Sequence, residues 1–274
     1  MLANIKKAGI YLNRNVLVTG SSHGIGSATA IEFARNGDNV GICYLNNPEG
    51  AEKTAEECRK YGVDVQIFKV DLNVREECVQ LVAKFLEHFK TIDVLINNAG
   101  GALKIPKGEF VDMPLDYWDS QIALNLNAAA YCSQVAIRNM KENHIPGRIV
   151  NISSVHGSIS WVRRKMLPYC AAKGGIEMFT KAIAIEVAKY GIRVNCIAPG
   201  FIMTKLSDRY SERDLDGFRR KISVGFLGQT EHIVPAIMFM ADIKSTEYIV
   251  GQTLHVDGGQ SIDGAIDCML DDQF

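Results

Sequence analysis

Tyr169-Cys170-Ala171-Ala172-Lys173 places a phenol and an ammonium four residues apart. On a helix, residues at that spacing share one face, with their Cβ atoms about 5–6 Å apart. An isolated tyrosine has a pKa near 10, so about one phenol in a thousand is ionised at neutral pH, a deficit of roughly 4 kcal/mol for chemistry that needs the phenolate. A nearby cation favours the charged form and reduces that deficit. The pair reads as a proton acid/base, against the plain alternative of a helical tyrosine beside a solvated lysine. The remainder of the chain must decide between them.

A second stretch with chemical potential is Gly20-Ser21-Ser22-His23-Gly24-Ile25-Gly26. A β-branched run, Asn15 to Thr19, precedes it, and a helical pattern, Ala28 to Arg35, follows. Strand, glycine-rich turn and helix together let backbone N–H groups approach a pyrophosphate, where the helix dipole also favours an anion. Strands at Asn39 to Leu45 and Val63 to Val70, the latter ending at Asp71, flank a helical segment from Glu49 to Tyr61. These complete a βαβαβ unit.

The alternation continues with helical Glu76 to Phe89, strand Ile92 to Ile96 and the turn Asn97-Asn98-Ala99-Gly100-Gly101. Helical Trp118 to Asn143, strand Arg148 to Ile152, helical Tyr169 to Tyr190 and strand Arg193 to Ile197 come next. A helical patch from Glu231 to Ala241 and a last strand, Thr253 to Val256, complete the pattern. It predicts an α/β fold: a Rossmann-type doubly wound parallel sheet of about seven strands with helices on both faces. Residues 1–274 read as one nucleotide-binding domain, with loose regions at Lys104 to Pro114, Trp161 to Pro168 and Thr204 to Val224. Ligands in such sheets bind beyond the carboxyl ends of the strands.

Composition narrows the function. The chain has 274 residues, 47% apolar and 22% charged, with a formal net charge of −1. That balance gives no electrostatic reason to expect nucleic acid or an anionic membrane as partner. No apolar run is long enough to span a bilayer, and Met1 to Lys7 lacks the apolar segment and cleavage site of a secretory signal, so the expected compartment is the cytoplasm. Seven scattered cysteines form no C-x-x-C pair and read as reduced packing residues. The six histidines show no ligand spacing, so no metal is expected.

In these motifs, taken in order from about Val16 to Gly259, the chain resembles the short-chain dehydrogenase/reductase family, in its short single-domain branch. Thr19 to Gly26 is similar to the family's T-G-x-x-x-G-x-G turn, Asn97-Asn98-Ala99-Gly100 to its N-N-A-G motif, and Tyr169 to Lys173 to its Y-x-x-x-K. The resemblance implies NAD or NADP as cofactor, held by Gly20, Ser22, His23, Gly24, Ile25, Gly26, Tyr44, Asp71, Leu72, Asn98, Ala99, Gly100, Tyr169, Lys173, Pro199, Gly200, Ile202 and Thr204. It also implies a catalytic set of Asn125, Ser154, Tyr169 and Lys173. In that set Ser154 holds the substrate oxygen and Tyr169 exchanges the proton. Lys173 depresses the tyrosine pKa and holds the nicotinamide ribose, and Asn125 anchors a water. The family's register selects Ser154 over Ser153, and Asn125 over Asn127. His156 reads as a loop histidine. The interval of three residues between Tyr169 and Lys173 speaks against the family's enoyl reductases, which use a longer gap.

Two features depart from the family's pattern. The Ser154-to-Tyr169 segment is two residues longer than its commonest spacing and carries Trp161 and the cationic run Arg163-Arg164-Lys165, which reads as a solvated loop or, alternatively, as a grip for an anionic substrate. Tyr44-Leu45-Asn46-Asn47 has neither the acid that grips the ribose of NAD nor the arginine that pairs with the phosphate of NADP. Cofactor preference stays open. The expected function is interconversion of a secondary alcohol and a ketone or aldehyde on a small molecule. Sugars or polyols are favoured because Ile152 to His156 and the following tryptophan are similar to the family's glucose dehydrogenases; 3-oxoacyl and steroid substrates remain alternatives. The reading from another class is a catalytically silent NAD(P)-binding regulator or scaffold. The family's habit also implies a homotetramer.

Overall fold

The computed structural model describes residues 13–102, 106, 109–159, 166–207 and 210–262. Seven parallel strands form one sheet in the order β3-β2-β1-β4-β5-β6-β7. They are β1 (Asn15–Val18), β2 (Asn39–Tyr44), β3 (Val65–Lys69), β4 (Val94–Asn97), β5 (Arg148–Ile152), β6 (Arg193–Pro199) and β7 (Thr253–Val256). The connecting helices are α1 (Gly24–Arg35), α2 (Pro48–Arg59), α3 (Arg75–Phe89), α4 (Leu115–Ile122), α5 (Ala128–Glu142), α6 (Leu167–Val187), α7 (Glu212–Arg219) and α8 (Thr230–Ala241).

The strands read as continuous apolar runs because both faces are covered, and side chains alternate between the two. Val16, Val18, Val94 and Ile96 pack into one core with Ala30, Phe33, Ala55 and Ile237 of α1, α2 and α8. Their neighbours Leu17 and Leu95 point the other way, into a second core with Phe85, Ala136 and Ala184 of α3, α5 and α6. Removing this apolar surface from water is the main favourable contribution to folding, and it fixes strand register, because a one-residue slip would exchange the two faces. The expected doubly wound sheet is thus observed.

Three local differences from the sequence expectation bear on the site. The helix expected from Trp118 to Asn143 is not uniform: a π-helical turn, Ala123–Asn127, separates α4 from α5. Such insertions are invisible to a 3.6-residue periodicity and recur at functional sites. Within the stretch expected to be loose after Thr204, α7 forms on a capping box in which Ser211 Oγ accepts from the Asp214 N–H and the Asp214 carboxylate accepts from the Ser211 N–H. And α1 begins at Gly24, not Ala28, so the last two glycines of the turn already belong to the helix's first turn.

Candidate active site

A cavity of about 550 Å³ lies at the carboxyl ends of the strands. It spans the crevice between β1 and β4, where the strand order reverses, which is where open α/β sheets take their ligands. Every cofactor position expected from the sequence lines it except Gly26, which is buried within α1.

The glycine turn is held from two sides. On one side, Ser21 Oγ donates to Val18 O at 2.7 Å and accepts the Cys43 N–H at 3.0 Å, pinning the turn to β2. On the other, Asn98 Nδ2 donates to Thr19 O (2.9 Å) and Gly20 O (3.1 Å), while Thr19 Oγ1 accepts the N–H groups of Asn98 and Ala99. The Asn98 side chain therefore braces the turn. No side chain caps the first turn of α1, so its N–H donors are available to an anion at the helix end.

Asp71 and Leu72 wall one end of the cavity, and the Asp71 carboxylate accepts from Asn73 N and Nδ2. His23 is the N-cap residue of α1. Burial, and then the charge of Lys205, lower its pKa, so the imidazole is neutral at pH 7. β2 ends without an acid or an arginine, and the choice between NAD and NADP stays open.

Ser154 follows β5, and Tyr169 and Lys173 project from α6. The Ser154 hydroxyl lies beside the Tyr169 phenol and accepts from His156 N at 3.2 Å. Lys173 Nζ lies 5.7 Å from the centre of the Tyr169 ring and donates to Ile152 O at 2.8 Å. Asn125 sits in the π turn, 2% exposed. Its Oδ1 accepts the Gly101 N–H at 2.8 Å, and its Nδ2 donates to Gln121 O at 3.1 Å. Gly100 marks where Asn125 and Lys173 converge: a Cβ there would stand 2.6 Å from Asn125 Oδ1 and 3.1 Å from Lys173 Nζ.

Burial, and not the lysine, dominates the phenol. Burial pushes Tyr169 up to about 12, and the Ser154 hydroxyl pulls it back only in part. The same burial lowers Lys173 to about 8. Desolvation is the largest cause for both groups. Tyr169 is half-buried and lines the cavity.

The cavity also uses residues that the sequence reading missed or set aside. His156 lines it, with its ring edge-on to Tyr169 at 6.2 Å, and is not merely a loop residue. Tyr210 lines it as well, fixed by contacts with Phe201 and Phe218. The Ser-x-x-Asp capping signature of α7 was the signal that could have shown Tyr210 anchored beside a helix. Trp161 and Arg163-Arg164-Lys165 lie outside the described residues.

The residues present fit a nicotinamide dinucleotide: a glycine turn ahead of an uncapped helix, a wall at Asp71, and a cavity running on to Ser154 and Tyr169. Over residues 20–261 the chain matches a family model described as enoyl-(acyl carrier protein) reductase, and it belongs to the short-chain dehydrogenase/reductase family. It is 35% identical over 252 residues to glucose 1-dehydrogenase 2 of Bacillus subtilis (strain 168), covering 91% of this chain and 95% of that protein. It is 34% identical over 249 residues to the 3-oxoacyl-(acyl-carrier-protein) reductase FabG of Staphylococcus aureus, covering 90% and 98%. The fold matches, with a TM-score of 0.81 and 28% identity, the crystal structure of a provisionally assigned 2-deoxy-D-gluconate 3-dehydrogenase from Agrobacterium tumefaciens with bound NADP, covering 93% of this chain and 99% of that one. The chain is an NAD(P)-dependent dehydrogenase or reductase acting on CH–OH donors, and nothing in these relatives favours a silent regulator.

Proposed function

We propose that this enzyme interconverts a secondary alcohol and a ketone on a small polar molecule, with a sugar or polyol as the favoured substrate. The observation that carries the proposal is the convergence of Ser154, Tyr169 and Lys173 at one end of a cavity whose other end is the glycine turn and Asp71. Hydroxyl and imidazole groups from Tyr210 and His156 on the wall suit a hydroxylated substrate, and the relative named for glucose points the same way. The 3-oxoacyl reading is favoured by the FabG relative and is kept as the second.

When bound, the nicotinamide would supply the hydride donor or acceptor and, in its oxidised form, a positive charge beside the phenol. Ser154 would hold the substrate oxygen while Tyr169 gives or takes its proton. Lys173, anchored on Ile152 O, would hold the nicotinamide ribose and stay cationic below its lowered pKa of about 8. Asn125, fixed in the π turn, would anchor a water that carries protons away from the lysine. The turn and first helical N–H groups from Gly20 to Gly26 would hold the pyrophosphate, with Ala99, Gly100, Pro199, Gly200, Ile202 and Thr204 along the remaining wall.

A panel of polyols, sugar acids, sugar phosphates, acetoin-like ketols, a 3-oxoacyl thioester and an enoyl thioester, each assayed with both nicotinamides, tests the proposal. Arg163-Arg164-Lys165 is the reason to include the anionic sugars. Turnover is expected on hydroxylated substrates and not on the enoyl thioester. Affinities for NAD and NADP should differ modestly, because β2 ends without an acid or an arginine. Turnover of the 3-oxoacyl thioester alone would establish the second reading.

The pH dependence has a definite sign. Alcohol oxidation needs the ionised phenol, and burial pushes Tyr169 up to about 12, so the oxidation rate should climb with pH through the alkaline range. Carbonyl reduction needs the protonated phenol and should be flat until the tyrosine ionises, then fall. Initial rates in both directions against pH check this; oxidation indifferent to pH would assign the proton to another group.

We also infer one domain, a cytoplasmic location and a homotetramer. The cysteines Cys43, Cys58, Cys78, Cys132 and Cys196 are buried and not in disulfides, in keeping with a reducing compartment. Met178 and Ile185, seven residues apart on one face of α6, are 63% and 78% exposed, a stripe suited to a symmetry mate. Light scattering at micromolar concentration should give four times the chain mass, and a monomeric mass would contradict the assembly.

A further inference from the structure

The reacting groups come from two elements. Ser154 and the Ile152 carbonyl that holds Lys173 belong to the end of β5, while Tyr169 and Lys173 belong to α6. Three consecutive residues of that strand end bond to the helix. Asn151 Nδ2 donates to Thr180 Oγ1 at 2.8 Å, Ile152 O accepts from Lys173 Nζ, and Ser153 Oγ stands 3.0 Å from both Lys173 O and Glu177 Oε1. Ser153 is 3% exposed. Gly157 closes over the same point: a Cβ there would lie 2.4 Å from Glu177 Oε1, 2.9 Å from Ser153 Oγ and 3.0 Å from Lys173 O.

We propose that Ser153 and Glu177 are positioning residues that set the register between the Ser154 end of β5 and the Tyr169–Lys173 turn of α6. The inference rests on Tyr169 and Ser154 as the reacting pair. A serine hydroxyl has one proton, so Lys173 O and Glu177 Oε1 share it, and the contact works as a three-point clamp. Ser153 is bonded to its neighbours on both sides, since its own N–H donates to Ile197 O of β6 at 2.8 Å. The clamp therefore transmits the position of the sheet to the backbone of Lys173 itself. Misplacing a reacting group by about 1 Å can cost about 10²-fold in rate, and positions of this kind need supporting hydrogen bonds to hold them. The role is carried by hydrogen bonding and not by charge, which makes the glutamine variant informative. Its amide oxygen still accepts, and its N–H₂ can donate to Ser153 Oγ and leave the serine proton to Lys173 O.

The test compares S153A, E177M, E177Q, G157A and the control T180V, which removes a bond of the same strand-to-helix set remote from the reacting end. Readouts are kcat, cofactor affinity from quenching of protein fluorescence, thermal midpoint and the mass in solution. S153A, E177M and G157A are expected to lower kcat about 10- to 100-fold with cofactor affinity within about threefold. E177Q should return most of the activity, and T180V should lower the midpoint with kcat unchanged. Parent-like kcat in E177M and S153A overturns the proposal, as does a loss of kcat that merely follows thermal stability across all five. Y169F run alongside separates the two levels: parent-like turnover there overturns the Tyr169 reading itself, whereas an impaired Y169F with an unimpaired E177M removes only the clamp.

Discussion

Tyr169→Phe should lower turnover by about 10²–10⁴-fold, the range for a positioned acid/base group, equivalent to about 3–5 kcal/mol on the barrier. The substitution removes one oxygen and leaves the ring. The edge-on contact with His156 at 6.2 Å and the stacking distance of Lys173 Nζ are properties of the ring, so the local fold and the cofactor cradle are retained. What is lost is the phenolic proton beside Ser154. Ser154 cannot replace it, because a serine hydroxyl is a far weaker acid than a phenol. Steady-state kinetics with a cofactor-binding titration checks the result. Full turnover in this variant would show that another group moves the proton.

Gly26→Ala is expected to weaken nicotinamide nucleotide binding about 10- to 100-fold, and it should do so with the reacting groups untouched. A Cβ at Gly26 would lie 2.4 Å from Gly20 O, 3.0 Å from Gly20 C and 2.5 Å from Asn98 Nδ2. Two of these atoms are backbone, and the third is held by its bonds to Thr19 O and Gly20 O, so none can yield cheaply. Forcing a methyl into such a contact costs about 1–3 kcal/mol, and the movement falls on the turn whose N–H groups face the cavity. Each 1.4 kcal/mol lost from binding is about tenfold in affinity. Fluorescence titration with the reduced nucleotide measures it. Parent-like affinity would mean that the turn relaxes without moving its donors.

These two sites were legible in the chain to different depths. The glycine turn could be read because its three ingredients, a β-branched run, closely spaced glycines and a helical pattern, are all local. Strand and helix ends were recovered within a few residues, as expected where side-chain alternation and periodicity follow burial. The π turn at Asn125 could not be read, since Ala123 to Asn127 carries no residue that breaks a helix; the turn is maintained by tertiary bonds from Asn125 to Gly101. The weight of burial on the phenol could not be read for a related reason. Spacing announces the lysine, but the burial that dominates comes from elements distant in sequence. Helix α7 differs, because its Ser211–Asp214 capping signature is local but sits in a polar stretch.

We propose that this chain moves hydride between a carbinol carbon and a nicotinamide while Tyr169 handles the proton. Isotope tracing separates those two fates directly. An alcohol from the panel that turns over, carrying deuterium on its carbinol carbon, should deliver one deuterium per turnover to the reduced nicotinamide, read by mass spectrometry, with none from the solvent. Deuterium washed into water, or product formed with no label in the nicotinamide, would contradict the account.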